Sequence, residues 1–267
     1  MKVASVVGVG LIGGSFALAL RKAGFSGKII GVSSPATVET ALARGVIDEA
    51  LPLDKAAAQS DLIYLAMPIE RILDTLGRLD EWVLPGALIT DAGSTKAAIV
   101  DRAANTIHRG CFVGGHPMAG KQTRGVAEAD ADLFGGRPYV LTSPHSELES
   151  WIEKIGARVV ILDAREHDRL VALSSHLPQL ISTALALSIV NEPGAMRVAG
   201  PAAVDLTRLA LSPYEIWRDI FATNSESIDA ALGAFIEKLE QLRKILRAPE
   251  IEREFDRAAE AAQALRR

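Results

Sequence analysis

His116 sits in the run Gly114-Gly115-His116-Pro117-Met118-Ala119-Gly120, with two glycines before it and a proline after it. An imidazole on so restricted a loop is suited to taking or giving one proton near neutral pH. Ser94, in Asp91-Ala92-Gly93-Ser94-Thr95-Lys96, places a hydroxyl just past an apolar run. His176 lies in Ser175-His176-Leu177-Pro178-Gln179 and, taken alone, reads as a hydrogen-bonded core histidine. Arg208, in Asp205-Leu206-Thr207-Arg208, offers a guanidinium fork that suits a carboxylate, or a local ion pair with Asp205. The one cysteine, Cys111, excludes an internal disulfide and fits a reducing cytoplasm. No metal site is expected.

Gly8-Val9-Gly10-Leu11-Ile12-Gly13 fits G-x-G-x-x-G between a predicted strand and a predicted helix, the context that gives this pattern meaning. Gly8 allows the tight turn, Gly10 lets backbone approach a pyrophosphate, and Gly13 lets helix and sheet pack closely. The helix N-terminus offers free N–H groups to the anion. The fingerprint places an acidic residue roughly 20 positions on, for the ribose hydroxyls. Here Ser33 and Ser34 stand in that place. A carboxylate there would repel a 2′-phosphate and serines would not, which favours NADP, with NAD the alternative.

The elements that must carry these residues alternate through the first half. Strands are predicted over 3–8, 28–32, 61–67, 87–91, 112–115 and 138–142, and helices over 11–23, 37–44, 69–79 and 96–108. This alternation implies parallel strands in a Rossmann-type, doubly wound α/β sheet with helices on both faces. After a strand over 159–162 the pattern turns helical, over 164–190, 201–211, 213–223, 225–246 and 250–267. The boundary between a dinucleotide-binding domain and a helical substrate and dimerisation domain is therefore placed at 163/164. Residues 170–190 carry no Asp, Glu, Lys or Arg and are long enough to span a bilayer. The His176, Pro178 and Gln179 group, with its serines, favours a helix buried in a soluble domain. The 267 residues carry a formal net charge of −4, which argues against nucleic acid as the main partner.

On these residues the chain resembles the TyrA family of prephenate/arogenate dehydrogenases. The likeness rests on GVGLIGGS at 8–15, Ser94 in DAGSTK, His116 in GGHPMAG, His176 in SHLPQL, and Asp205-Leu206-Thr207-Arg208 followed by Trp217-Arg218-Asp219. It implies an NAD(P)-dependent oxidoreductase of tyrosine biosynthesis, cytoplasmic and homodimeric through its helical domain. The substrate would be a cyclohexadiene with a 4-hydroxyl and a ring carboxylate. Hydride would leave C4 for the nicotinamide, carbon dioxide would leave C1, and the ring would become aromatic. By this resemblance His116 accepts the 4-hydroxyl proton, and Ser94 orients His116 and touches the hydroxyl or the nicotinamide. Arg208 binds the ring carboxylate, His176 shapes the pocket, and Lys121 and Gln122 lie near the substrate side chain. Trp217 is a structural wall or dimer contact. Glu128, Asp130 and Asp132 are candidates for arogenate's ammonium. No fused chorismate mutase or ACT domain is expected, so any feedback by tyrosine would act at the active site.

Two other readings compete. A dehydrogenase of the β-hydroxyacid type would need a lysine on the long helix, and 170–190 has none. A non-catalytic nucleotide sensor would keep the glycine loop without needing His116, Ser94 and Arg208 together.

Overall fold

The computed structural model describes residues 1–266. Its first half is built on apolar runs too short for helices. β1 (Val3–Val7), β2 (Lys28–Val32), β4 (Leu62–Leu65) and β5 (Leu88–Asp91) bury nearly every side chain, as strands covered on both faces must. With β3 (Glu49–Ala50) and β6 (Cys111–Val113) they form one parallel sheet of order β3-β2-β1-β4-β5-β6. The order reverses at β1, so a crevice opens beyond the carboxyl ends of β1, β2 and β4. Helices α1 (Leu11–Lys22), α2 (Pro35–Ala43), α3 (Leu53–Ala57), α4 (Ile69–Leu79) and α5 (Ala97–Thr106) connect the strands. In α4 the apolar residues Ile69, Ile72, Leu76 and Leu79 recur on one face and are buried against the sheet.

The stretch predicted as one strand over 112–115 divides at Gly114. Its second part, β7 (Gly115–Pro117), leaves the main sheet and runs antiparallel to β8 (Pro138–Leu141). β8 pairs in parallel with β9 (Arg158–Ile161), giving a separate three-stranded sheet. α6 (Ser146–Lys154), between them, was not predicted. The His145 side chain caps it by accepting from Leu148 N–H at 3.3 Å.

The helical half opens with α7 (Ala164–Val171), whose Asp163 cap accepts from Arg165 and Glu166 N–H. One wide π turn over Ala172–His176 joins α7 to α8 (Leu177–Val190), so helix runs from Ala164 to Val190. By length and composition this stretch is able to cross a membrane. One face buries His167, Asp168, His176, Gln179 and Ser182, while Leu173, Leu187 and Val190 are exposed. The expectation of a helix buried all round is corrected: its apolar outer face is open in the single chain. α9 (Pro201–Thr207) ends in a 3-10 turn over Arg208–Leu211. The two helices predicted on either side of residue 224 are one, α10 (Tyr214–Ile245), kinked where Asn224 is non-helical (φ −139°, ψ 25°). α11 (Glu250–Ala264) follows, and residue 267 of the predicted tail helix lies outside the described residues. Ala172, Ile220 and Ile228 join the core beneath β4 and β5, so the helical half packs directly on the sheet.

Candidate active site

The crevice at the sheet's switch point is a cleft of about 910 Å³ lined by Gly8, Gly10, Ser33, Ser34, Met67 and Arg71, among others. Gly8 has φ +91°, and a Cβ there would come within 2.5 Å of the Ala66 carbonyl oxygen, so glycine is required twice over. Nothing lies within 4 Å of where a Gly10 Cβ would be, which leaves the backbone open to a ligand. Gly10 is also the N-cap of α1 and offers no side-chain cap, so the first N–H groups face outward unsatisfied. This cradle fits the diphosphate of a dinucleotide. Leu11 and Ile12 begin α1, half-buried; Val9 is buried in the core; Gly13 is buried against Val6 and Ala66.

His116 stands on β7 beside this crevice, and its backbone is locked from behind. The Asp91 carboxylate accepts from Gly93 N–H at 2.8 Å, from Gly115 N–H at 3.0 Å and from the Lys96 ammonium. Lys96 also donates to the Gly115 carbonyl at 2.7 Å, and both charged side chains are fully buried. A Cβ on Gly115 would lie 2.6 Å from the Asp91 carbonyl oxygen, which explains the glycine before the histidine. Burial pushes the Lys96 pKa down and Asp91 counteracts it. Removing one partner of such a buried pair costs about 3–5 kcal/mol.

His116 Nδ1 lies 2.8 Å from His167 Nε2, and His167 Nδ1 lies 2.8 Å from Asp168 Oδ1. Asp168 accepts as well from Lys96 N–H at 2.7 Å and Ala97 N–H at 2.9 Å, at the start of α5. The chain of bonds assigns the protons. The Asp168 carboxylate can only accept, so His167 Nδ1 donates to it. With both rings neutral, His167 Nε2 then accepts from His116 Nδ1–H, leaving the Nε2 lone pair of His116 free. Burial foremost, then His167, Lys96 and His176, hold the His116 pKa well below the ordinary histidine value. The His116 ring is thus a neutral base with one open acceptor position.

His176 is buried, with Asn224 Nδ2 3.4 Å from its Nδ1, and it meets Trp217 edge-on at 6.0 Å. Burial brings its pKa down to about 4, against the opposing pull of Asp168. The same Asn224 amide donates to the Asp168 carbonyl at 2.8 Å, tying the kink of α10 to α7.

A second cleft, of about 600 Å³, gathers Lys121, Gln122, Arg124, Gln179, Arg208 and Trp217. Among the described residues Arg208 has no carboxylate within 4 Å, so the ion pair with Asp205 is not formed. Lys121 pairs with Asp130 at 2.9 Å, and Asp132 pairs with Lys22, so two of the three candidate acids already have cations. Trp217 donates to Ser212 Oγ at 2.9 Å. Ser94 is half-buried and its hydroxyl makes no hydrogen bond among the described residues; the group that orients His116 is His167. Cys111 is exposed.

Sequence reasoning missed His167, Asp168 and Arg124. His167 and Asp168 lie among the charges of Arg165, Glu166 and Arg169, which read as a solvated face. The available signal was spacing: residues 164, 167, 168 and 171 form one helical stripe, and all four are buried.

Comparison with known proteins gives a consistent picture. The family described as prephenate dehydrogenase, nucleotide-binding domain, matches residues 16–165, and prephenate dehydrogenase, dimerization domain, matches 163–260. A prephenate dehydrogenase of Lactococcus lactis subsp. cremoris is 36% identical over 254 residues, covering 92% of this chain and 70% of the relative. A crystal structure of prephenate dehydrogenase from A. aeolicus, in complex with hydroxyphenyl propionate and NAD+, superposes with TM-score 0.92 at 28% identity, over 99% of this chain and 98% of that one. The Synechocystis arogenate dehydrogenase structure superposes with TM-score 0.87 at 31% identity, over 99% of this chain and 100% of that one.

Proposed function

Because the chain belongs to the prephenate dehydrogenase family, we propose that it oxidatively decarboxylates prephenate or arogenate with an NAD(P)+ cofactor, and that His116 is its proton acceptor. The observation that carries this reading is the Asp168–His167–His116 chain, which leaves a neutral imidazole nitrogen open beside the glycine-loop crevice. Gly8 through Gly13 would hold the dinucleotide's diphosphate, and Ser33 and Ser34 its adenosine end; serine in place of a carboxylate favours NADP+ over NAD+. When bound, the nicotinamide takes the hydride from C4.

The chain's own residues position the rest. His116 Nε2 accepts the 4-hydroxyl proton as the C4–H pair departs. The C1–carboxylate bond then breaks, its electron pair completes the aromatic ring, and carbon dioxide leaves. The phenol oxygen regains a proton from His116, which resets the base. Arg208, free of any protein carboxylate, would bind the ring carboxylate and hold C1 over the site. Gln122 and Arg124 would face the side chain at C1, and Ser94 would contact the hydroxyl or the nicotinamide. Lys121 is committed to Asp130 and would act there as a pair with it. His176, uncharged at neutral pH, would serve as a wall. We place the domain boundary at 163/164, and a cytoplasmic homodimer would cover the open apolar faces of α8 and α9.

The test is reduced-nicotinamide absorbance in a grid of prephenate or arogenate with NADP+ or NAD+. Turnover in any combination supports the reaction and the preferred one gives both specificities. No turnover from folded, cofactor-binding protein would refute it.

A further inference from the structure

The crevice that holds the glycine loop carries an unspent positive charge. Along one face of α4, Arg71, Asp74, Thr75 and Arg78 line it opposite Ser33, Ser34 and Thr37. Spacings of three, four and seven residues put these side chains on a single helical stripe. Neither arginine has a carboxylate within 4 Å among the described residues, whereas Arg21, Arg165, Arg169, Arg218 and Arg257 all do. Arg78 lies over the Trp82 ring, 5.8 Å from its centroid, while Arg71 makes no hydrogen bond among the described residues. Two guanidinium groups face one carboxylate, and the end of β2, where a ribose-binding acid would stand, has none.

We infer that Arg71 is the anchor for the 2′-phosphate of NADP, clamping it against the hydroxyls of Ser33 and Ser34. Arg71 lies in the first turn of α4, near the carboxyl ends of the strands where ligands bind, while Arg78 lies roughly 10 Å farther along the helix and supplies field more than contact. A guanidinium fork matches phosphate oxygens bidentately, and a phosphomonoester near pH 7 carries most of two charges. The cation arrives from across the sheet, through β1, instead of following β2 in sequence. The inference rests on the reading of this crevice as a nicotinamide dinucleotide site.

Calorimetric titration of the cofactor-free protein with 2′,5′-ADP and with 5′-AMP isolates the 2′-phosphate, since the two differ by that group alone. The wild type is expected to bind 2′,5′-ADP at least about tenfold more tightly. Arg71→Ala should abolish that ratio while leaving 5′-AMP binding within about twofold, and Arg71→Lys should restore part of it; unchanged melting temperatures show that both variants are folded. Equal affinity of the wild type for the two ligands, or an unchanged ratio in Arg71→Ala, overturns the inference. So does an Asp74→Asn variant that loses 5′-AMP binding, because Asp74 would then be holding the ribose of NAD. Failure of the activity reading looks different: the Arg71-dependent ratio stands, but neither prephenate nor arogenate is turned over with any cofactor.

Discussion

The imidazoles of His116 and His167 meet at 2.8 Å although they belong to different halves of the chain, one on β7 and one on α7. Asp168 completes the contact and at the same time caps the start of α5 with two backbone hydrogen bonds. The base is therefore aligned by a group that also fastens the helical half to the sheet. His116→Asn should lower kcat by about 10²–10⁴-fold, the usual contribution of a positioned base, while NADPH binding measured by nicotinamide fluorescence stays near wild type.

The pH profile follows from the same geometry. His116 works only when neutral, and burial holds its pKa well below the ordinary value. kcat/KM should therefore stay level as pH falls through 6.5 and decline only at lower pH. His167→Gln removes one of the influences that depress this pKa, so its acid limb should move to higher pH. A limb centred at 6.5 in the wild type would contradict the assignment.

Arg208 is exposed and unpaired, so its replacement should leave the fold unchanged. Arg208→Ala should raise KM for the substrate by roughly tenfold or more, matching the loss of a charge-assisted hydrogen bond worth about 1.5–3 kcal/mol. Arg208→Lys should recover part of that loss. An unchanged KM with a reduced kcat would place the ring carboxylate elsewhere.

Stability should fall on the acid side. His176 is depressed to about 4 in the folded chain, against an ordinary 6.5 in the unfolded one. Between these values the unfolded chain binds a proton that the folded chain does not, so stability is full above 6.5 and is lost as pH falls toward 4. The depression of about 2.5 units corresponds to roughly 3 kcal/mol by pH 4. His116 adds in the same direction. Denaturant titrations of wild type and His176→Gln at pH 7 and pH 4.5 should show the smaller pH dependence in the variant.

Val204, Leu206 and Leu211 are mostly exposed in the single chain, as are Leu187 and Val190 on α8. Such a contiguous apolar surface points to a covering partner. Wild type should scatter light as a dimer at micromolar concentration, and Leu206→Glu with Val204→Glu should shift it toward the monomer mass.

What was legible in the sequence was contiguous. Gly8 to Gly13, the His116 loop and the apolar strands carry their signal within a few residues, so cradle, base and sheet were read directly. β3, two residues long, and α3, five, are too short for any period to register. His167, Asp168 and Arg71 matter only through what folding brings near them. Their local surroundings are charged, and nothing along the chain distinguishes them from a solvated helix face. Ser94 was read as the partner of His116 because both follow strands, yet the ring nitrogen that needs orienting turns toward α7.

The π turn over Ala172–His176 holds one residue more than a regular helix would need. Deleting a single residue there would let the α-helical ladder close, and everything after it would turn by about 100° relative to His167. Asp168 would still cap α5, but His176, Gln179 and Ser182 would swing off the pocket together. Along this helix, side chains can be exchanged one at a time while the residue count cannot change. Lineages that diverged far in composition should therefore align here without gaps.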